Sequence, residues 1–220
     1  MRVVVLRPEP GASATLARAL ALGLRAEAHP LFRVELLPWT APEPLAFDGL
    51  LLTSANAVRH AGPQLANLSG LPTYAVGKAT ADAAERADLD VAASGNGGVV
   101  DLLAELPADI RLLHLCGEER IDFQPVQALT AIPVYRSVVI EPAPGLEDLG
   151  PAVLLVHSPR AGRRVAEMIG TRAQFRIAAI SAAAAAACGD GWGTVAHASE
   201  PGDTALLSLA ARLCQQSPPK

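Results

Sequence analysis

Lysine is almost missing from this 220-residue chain: only Lys78 and Lys220 occur, and arginine supplies the other basic residues. A GC-rich genome, which also favours alanine, accounts for that bias. Planar forks for carboxylate or phosphate groups would put it to use. Cysteine is scarce too. Cys116, Cys188 and Cys214 are odd in number, far apart and without ligand spacing, which excludes a disulfide framework and a zinc site. No apolar run approaches the roughly 18 residues that a membrane helix needs. The chain opens directly on the apolar run Val3-Val4-Val5-Leu6, without a basic segment leading to a cleavage site, so a soluble cytoplasmic protein is expected. The net charge of −4 argues against nucleic acid as a partner. No heptad pattern or apolar edge calls for a second subunit, so a monomer is expected.

Other absences concern chemistry. The glycine-rich Ser94-Gly95-Asn96-Gly97-Gly98 lacks dinucleotide spacing, and there is no phosphate loop ending in Lys-Ser or Lys-Thr. The five histidines are scattered, with no metal pair. His157 adjoins Ser158, and side chains of sequence neighbours should diverge. With no nucleophile beside a base, an enzyme of this sequence would work by positioning its substrate.

What the sequence does contain is a repeat. Leu50-Leu51-Leu52-Thr53-Ser54-Ala55-Asn56-Ala57-Val58-Arg59 returns 104 residues later as Leu154-Leu155-Val156-His157-Ser158-Pro159-Arg160-Ala161-Gly162-Arg163. Ala75-Val76-Gly77-Lys78-Ala79 returns as Ala179-Ile180-Ser181-Ala182-Ala183, and Gly98 and Leu102-Leu103 as Gly202 and Leu206-Leu207, in the same register. Pro30-Leu31-Phe32-Arg33 pairs with Pro133-Val134-Tyr135-Arg136 at 103. Two similar halves should form two similar lobes, with a cleft between them for a ligand.

Short apolar runs alternate with helical patterns. Strands are expected at 2–7, 27–31, 49–53, 73–76, 91–93, 111–115, 134–140, 153–156, 176–180 and 194–196. Helices are expected at 12–22, from 55, and at 78–87, 99–106, 160–169, 182–188 and 204–214. This alternation defines an α/β fold with doubly wound parallel sheets. Two proline-bearing stretches, Pro38–Pro44 and Glu141–Gly145, read as stiff, extended connectors. The polar tail 215–220 is expected to fray.

In open parallel sheets, ligands bind at the carboxyl ends of the strands. Thr53, Ser54, Asn56, Gly77, Thr80, Ser158 and Ser181 fall at or just after such ends, where a helix begins. There they either cap helices or leave main-chain N–H groups open to an anion. Arg7 follows the first strand, and Gly117 and Arg120 follow another. The arginines are placed either to reach a bound acid or to be solvated. Tyr135 stands where the first half carries Phe32. It is either a half-buried strand aromatic or a phenol able to donate a proton.

Taken together, Leu52-Thr53-Ser54-Ala55-Asn56-Ala57-Val58, Tyr74-Ala75-Val76-Gly77-Lys78-Ala79-Thr80-Ala81, Leu115-Cys116-Gly117-Glu118 with Arg120, and Val134-Tyr135-Arg136-Ser137 resemble the uroporphyrinogen-III synthases over nearly the whole chain. The resemblance implies interleaved lobes: 1–33 with 142–220 as one, 41–132 as the other, joined by a two-stranded ladder from 34–40 and 133–141. It implies cyclisation of the linear tetrapyrrole hydroxymethylbilane, with inversion of the last pyrrole, loss of water and no cofactor. Tyr135 matches the tyrosine implicated in hydroxyl loss, and Thr53, Ser54, Gly77, Thr80, Gly117 and Ser158 match the cleft-lining loops. The family often has threonine where Ala183 and Ala184 stand. The competing readings are a non-catalytic two-lobed binding protein for a small anionic metabolite and a nucleotide-dependent transferase.

Overall fold

The computed structural model describes residues 1–95, 98–119, 123–141 and 145–215. In chain order the elements are β1 (Arg2–Val5), α1 (Gly11–Ala21), β2 (Ala26–Ala28), β3 (Phe32–Leu36), β4 (Gly49–Leu52), α2 (Ala55–His60), β5 (Thr73–Val76), α3 (Lys78–Glu85), β6 (Val91–Gly95), α4 (Val99–Ala104), β7 (Arg111–Gly117) and β8 (Ala128–Val139). They continue with β9 (Ala152–Val156), α5 (Pro159–Met168), β10 (Arg176–Ala179), α6 (Ala182–Ala186), β11 (Thr194–His197) and α7 (Asp203–Gln215). The chain divides into two compact units, Met1–Arg33 with Val139–Lys220, and Val34–Val138.

In the first unit a five-stranded, wholly parallel sheet runs β11-β10-β9-β1-β2. Both faces of its central strands are buried, so β1, β9 and β10 do not alternate in burial. Val4, Leu6, Leu154, Val156 and Ile177 pack on one face against α5, α6 and Phe175. Val3, Val5, Val153 and Leu155 pack on the other against α1 and α7. Buried Arg176 donates through Nη1 to the carbonyl of Leu213, satisfying an acceptor in the last turn of α7.

In the second unit the order is β3-β8-β7-β4-β5-β6, with β8-β7-β4-β5-β6 parallel. Leu50, Leu52, Leu113 and Leu115 pack under α2 and α3, while Leu51 and Leu112 meet α4 on the other face. Gln127 donates through Nε2 to the carbonyls of Leu103 and Leu106, closing the end of α4.

The repeat is visible in these two sheets. β9, β10 and β11 follow β4, β5 and β6 at the 104-residue offset, and β1 and β2 occupy the places of β7 and β8. Over five strands the two sheets therefore have one order, with β3 added at the edge of the second, although one unit is contiguous and the other is completed by the first 33 residues. The strand order reverses between β1 and β9 in one unit and between β4 and β7 in the other. A ligand finds its crevice at such a reversal.

Two elements differ from the sequence reading. The strand expected at 134–140 begins six residues earlier, at Ala128, and runs through Pro133. The ladder with β7 absorbs the proline by a register shift, pairing Cys116 with Pro133 and Gly117 with Tyr135. The strand expected at 27–31 ends at Ala28, and Phe32–Leu36 forms a separate strand after Pro30. Parts of the glycine-rich 94–98 stretch, of the second connector and of the C-terminal tail lie outside the described residues.

Gly162 on α5 shows how tightly the first unit is packed: a Cβ there would sit 2.9 Å from the carbonyl oxygen of Ala184 and 3.1 Å from Cys188 Sγ. Alanine gains ~1 kcal/mol over glycine inside a helix, whereas overpacking a core costs ~1–3 kcal/mol. Gly162→Ala is thus expected to lower the thermal midpoint followed by circular dichroism, against its helix propensity. A raised midpoint would mean that α5 and α6 have room to separate.

Candidate functional site

In the second unit the carboxyl ends of β4, β5, β7 and β8 gather most of the residues singled out in the sequence. Thr53 follows β4, and its Oγ1 lies 2.9 Å from Nε2 of buried His114 on β7. Ser54 caps α2, its Oγ accepting from the Asn56 amide at 3.2 Å. Asn56 Oδ1 in turn accepts from Arg59 Nη1. Gly77, at φ 82°, turns the chain from β5 into α3, and its carbonyl accepts from the amides of Thr80 and Ala81. Only glycine takes that backbone conformation without strain. Thr80, in the first turn of α3, is buried, 5 % exposed.

Gly117 ends β7 directly beneath Tyr135 of β8. A Cβ on Gly117 would lie 2.9 Å from Cε2 and Cζ of the ring and 3.0 Å from its hydroxyl. The missing side chain is what allows the half-buried phenol to lie across the strand end. His60, from the end of α2, tilts against the same ring with centroids 6.2 Å apart. Burial, and then the charge of Arg59, push the His60 imidazole below its usual range, so it stands beside the phenol uncharged at neutral pH. Arg120 lies outside the described residues.

In the first unit, Ser158 and Ser181 occupy the places of Ser54 and Gly77. Both are helix caps: Ser158 Oγ accepts from the Ala161 amide at 3.1 Å, and Ser181 Oγ from the Ala184 amide at 3.3 Å. Arg160, in the first turn of α5, lays its guanidinium 4.5 Å above the ring of Phe32.

Arg7 follows β1 and belongs to a polar cluster that sequence reasoning missed. At its centre is Asp203, the first residue of α7, 13 % exposed at its side chain. Oδ2 accepts from Thr15 Oγ1 at 2.7 Å and from Arg18 Nη1 at 2.5 Å, both on α1. Oδ1 faces His157 Nε2 at 3.1 Å and Arg7 Nη1 at 3.5 Å. Burial raises the carboxyl, but the hydrogen bonds from His157 and Thr15 and the charges of His157 and Arg7 outweigh it and hold Asp203 well below the carboxylate range. An ionised carboxylate only accepts, so Nε2 of His157 carries the donated hydrogen. Nδ1 of the same ring is buried without a hydrogen-bond partner among the described residues.

His157 and Ser158 do diverge, as neighbours should, but the histidine goes to an aspartate 46 residues away. The repeat offers the one sequence signal for this pairing. It aligns His157 with Thr53 and Asp203 with Val99, placing one at a strand end and the other at a helix start.

A two-unit α/β protein whose parallel sheets each carry polar residues at the strand-order reversal is the class defined so far. The sequence profile described as HEM4, uroporphyrinogen-III synthase HemD, matches residues 13–208. The chain belongs to the uroporphyrinogen-III synthase family, cyclising lyases of tetrapyrrole synthesis. No curated protein sequence matches it. Among solved structures it is similar to uroporphyrinogen-III synthetase from Helicobacter pylori, 18 % identical with a TM-score of 0.68, over 97 % of this chain and 100 % of that one. It is also similar to a mutant uroporphyrinogen III synthase from the extremely thermophilic bacterium Thermus thermophilus, 17 % identical with a TM-score of 0.54, over 98 % and 100 %. At such identities the structures speak for the fold. Among the described residues no helix is long and apolar enough to cross a membrane.

Because Asp203 ionises more easily folded than unfolded, its ion pairs stabilise the fold fully above the unfolded carboxylate range, ~pH 4. That contribution is lost as pH falls through the lower folded value. Asp203→Asn is expected to flatten the acid side of the stability profile, measured by urea unfolding between about pH 2.5 and 6. An unchanged acid slope would show that other carboxylates govern it.

Proposed function

We propose that this chain closes hydroxymethylbilane to uroporphyrinogen III in the cytoplasm, with Tyr135 as the acid that releases the hydroxyl group. The observation that carries the reading is the Tyr135 phenol lying over Gly117 at the strand ends of the second unit, with His60 tilted against its ring.

The reaction needs little covalent help. Protonation of the terminal hydroxymethyl oxygen lets it leave as water and makes the carbon behind it electrophilic. In solution the unsubstituted pyrrole carbon closes the ring and gives the uninverted isomer. The enzyme must bring the substituted carbon to the electrophile first, giving a spiro intermediate; that carbon's older bond to its methylene bridge then breaks, and the unsubstituted carbon of the same ring closes on the freed, electrophilic methylene. The proton released as the pyrrole regains aromaticity restores the phenol. Holding a near-attack geometry is worth up to ~7–11 kcal/mol, enough to decide between two carbons of one ring.

The grip on the polycarboxylate is assigned mainly to main-chain donors. At Gly77 and Ser181 the first helical turns begin with amides that precede those already bonded to the capping residue. Thr53, Ser54, Asn56, Thr80, Gly117, Ser158 and Arg7 shape or supplement the same strand-end rims. Ala183 contributes backbone alone, and the amide of Ala184 is already taken by Ser181 Oγ, which is consistent with a grip that uses few side chains. Nothing found favours the anion-binding protein without catalysis.

Hydroxymethylbilane generated in situ should yield the type III porphyrin in excess after oxidation; type I alone would reject the reading. Tyr135→Phe should lower turnover ~10²–10⁴-fold with KM nearly unchanged, and Gly117→Ala, which drives the ring off the strand end, should lower it in the same sense. Near-normal turnover in Tyr135→Phe would remove its role as acid. Ser158→Ala should cost ~0.5–2 kcal/mol of stability as a lost cap while leaving kcat/KM of the folded enzyme within a few-fold. Complete inactivation with folding intact would show that the hydroxyl itself meets substrate.

A further inference from the structure

The contact between Arg7 and Asp203 has the wrong shape for a structural ion pair. A guanidinium committed to a carboxylate engages it with two parallel N–H groups. Arg7 offers Asp203 a single Nη1 contact at 3.5 Å, and among the described residues its Nε and Nη2 make no hydrogen bond. The side chain is 36 % exposed. It is held in that attitude from two directions. Asp203 draws Nη1, and the main chain of Gly11 lies under the guanidinium, where a Cβ would be 2.4 Å from Nε and 2.7 Å from Cζ. Asp203 is itself immobilised, since Thr15 and Arg18 take Oδ2 and His157 shares Oδ1. Two arginines against one carboxylate leave the cluster net positive, so its own acid does not satisfy it. The whole stands where the strand order reverses between β1 and β9.

We propose that Asp203 and Gly11 are positioning residues that present the unbonded N–H edge of Arg7 to a carboxylate of the tetrapyrrole substrate. The proposal rests on the functional reading above. It concerns binding that is equal in the ground and transition states, so its signature is a raised KM with kcat retained.

Gly11→Ala is the cleanest probe. Gly11 opens α1 in a helical conformation that alanine shares, so the fold is kept, while the added methyl displaces the flexible end of Arg7. With hydroxymethylbilane generated in situ and the type III product measured, Arg7→Ala is expected to raise KM ~10-fold or more, the value of one charge-assisted hydrogen bond. Gly11→Ala should raise KM several-fold with an unchanged or higher thermal midpoint, and combining it with Arg7→Ala should add nothing further. Asp203→Asn should raise KM as well as lower the midpoint. If Arg7→Ala and Gly11→Ala leave KM at the wild-type value while type III product forms, the presentation of Arg7 is refuted. If Asp203→Asn lowers only the midpoint, Asp203 is a fold clasp and loses its positioning role. Wild-type protein yielding type I alone would instead overturn the functional reading, and this inference with it.

Discussion

The parallel pairing of β1 with β9 is the constraint on which the first unit depends. Arg2–Val5 lines up against Ala152–Leu155, so one half of the sheet is brought to the other across 150 residues of chain. Closing a loop of that length costs ~4–5 kcal/mol in chain entropy. Val3, Val4, Val5 and Leu6 are all fully buried, and each such side chain returns ~1.5–3 kcal/mol. The four together exceed the closure cost. Without β1, β9 would be an apolar edge, and the Val3–Val153 face under α1 and α7 would lie open. Asp203 adds a polar selection to this apolar docking. Its partners Arg7, Thr15 and Arg18 come from the first 33 residues, His157 from the far half, and a docking slipped by one residue would bury the carboxylate without them.

Much of this arrangement is legible in the sequence. A repeat read as a strand running into a helix predicts where each strand ends, and those ends are where Thr53, Ser54, Gly77, Ser158 and Ser181 stand. The alternation of short apolar runs with helical patterns points to the doubly wound parallel sheets. What escaped has physical reasons. Pro133 argues against a strand interior and so hides the first half of β8, whereas the ladder tolerates it through a shift of register. Phe32–Leu36 spans the end of the expected first lobe and the start of the expected ladder, and its alternating polar residues suit a strand with one face toward solvent. The Asp203 cluster escaped because local reasoning sees an acidic residue in a helix's first turn, where the dipole alone accounts for it. Its partners lie 185 to 196 residues away in α1 and at the end of β1, or on His157 at the end of β9. No spacing rule reaches them.

The two units are alike in backbone order and unlike in chemistry. The strand end after β4 carries Thr53, bonded to a buried imidazole; the matching end after β9 carries His157, bonded to a buried carboxylate. The second unit lays the Tyr135 phenol of β8 over Gly117 at the end of β7, whereas in the first unit Phe32 stands in the place of Tyr135 and Arg7, after β1, lies over Gly11 at the start of α1. A glycine makes room for a larger side chain in both units, at positions that the repeat does not match. On the proposed reading this difference divides the work. A charged fork suits a carboxylate, whose position fixes where the flexible chain lies. A phenol across a strand end, beside an imidazole and not a carboxylate, suits proton delivery to a neutral hydroxyl. Such a division explains how a chain with no nucleophile–base pair can direct a reaction whose difficulty lies in choosing between two carbons of one ring.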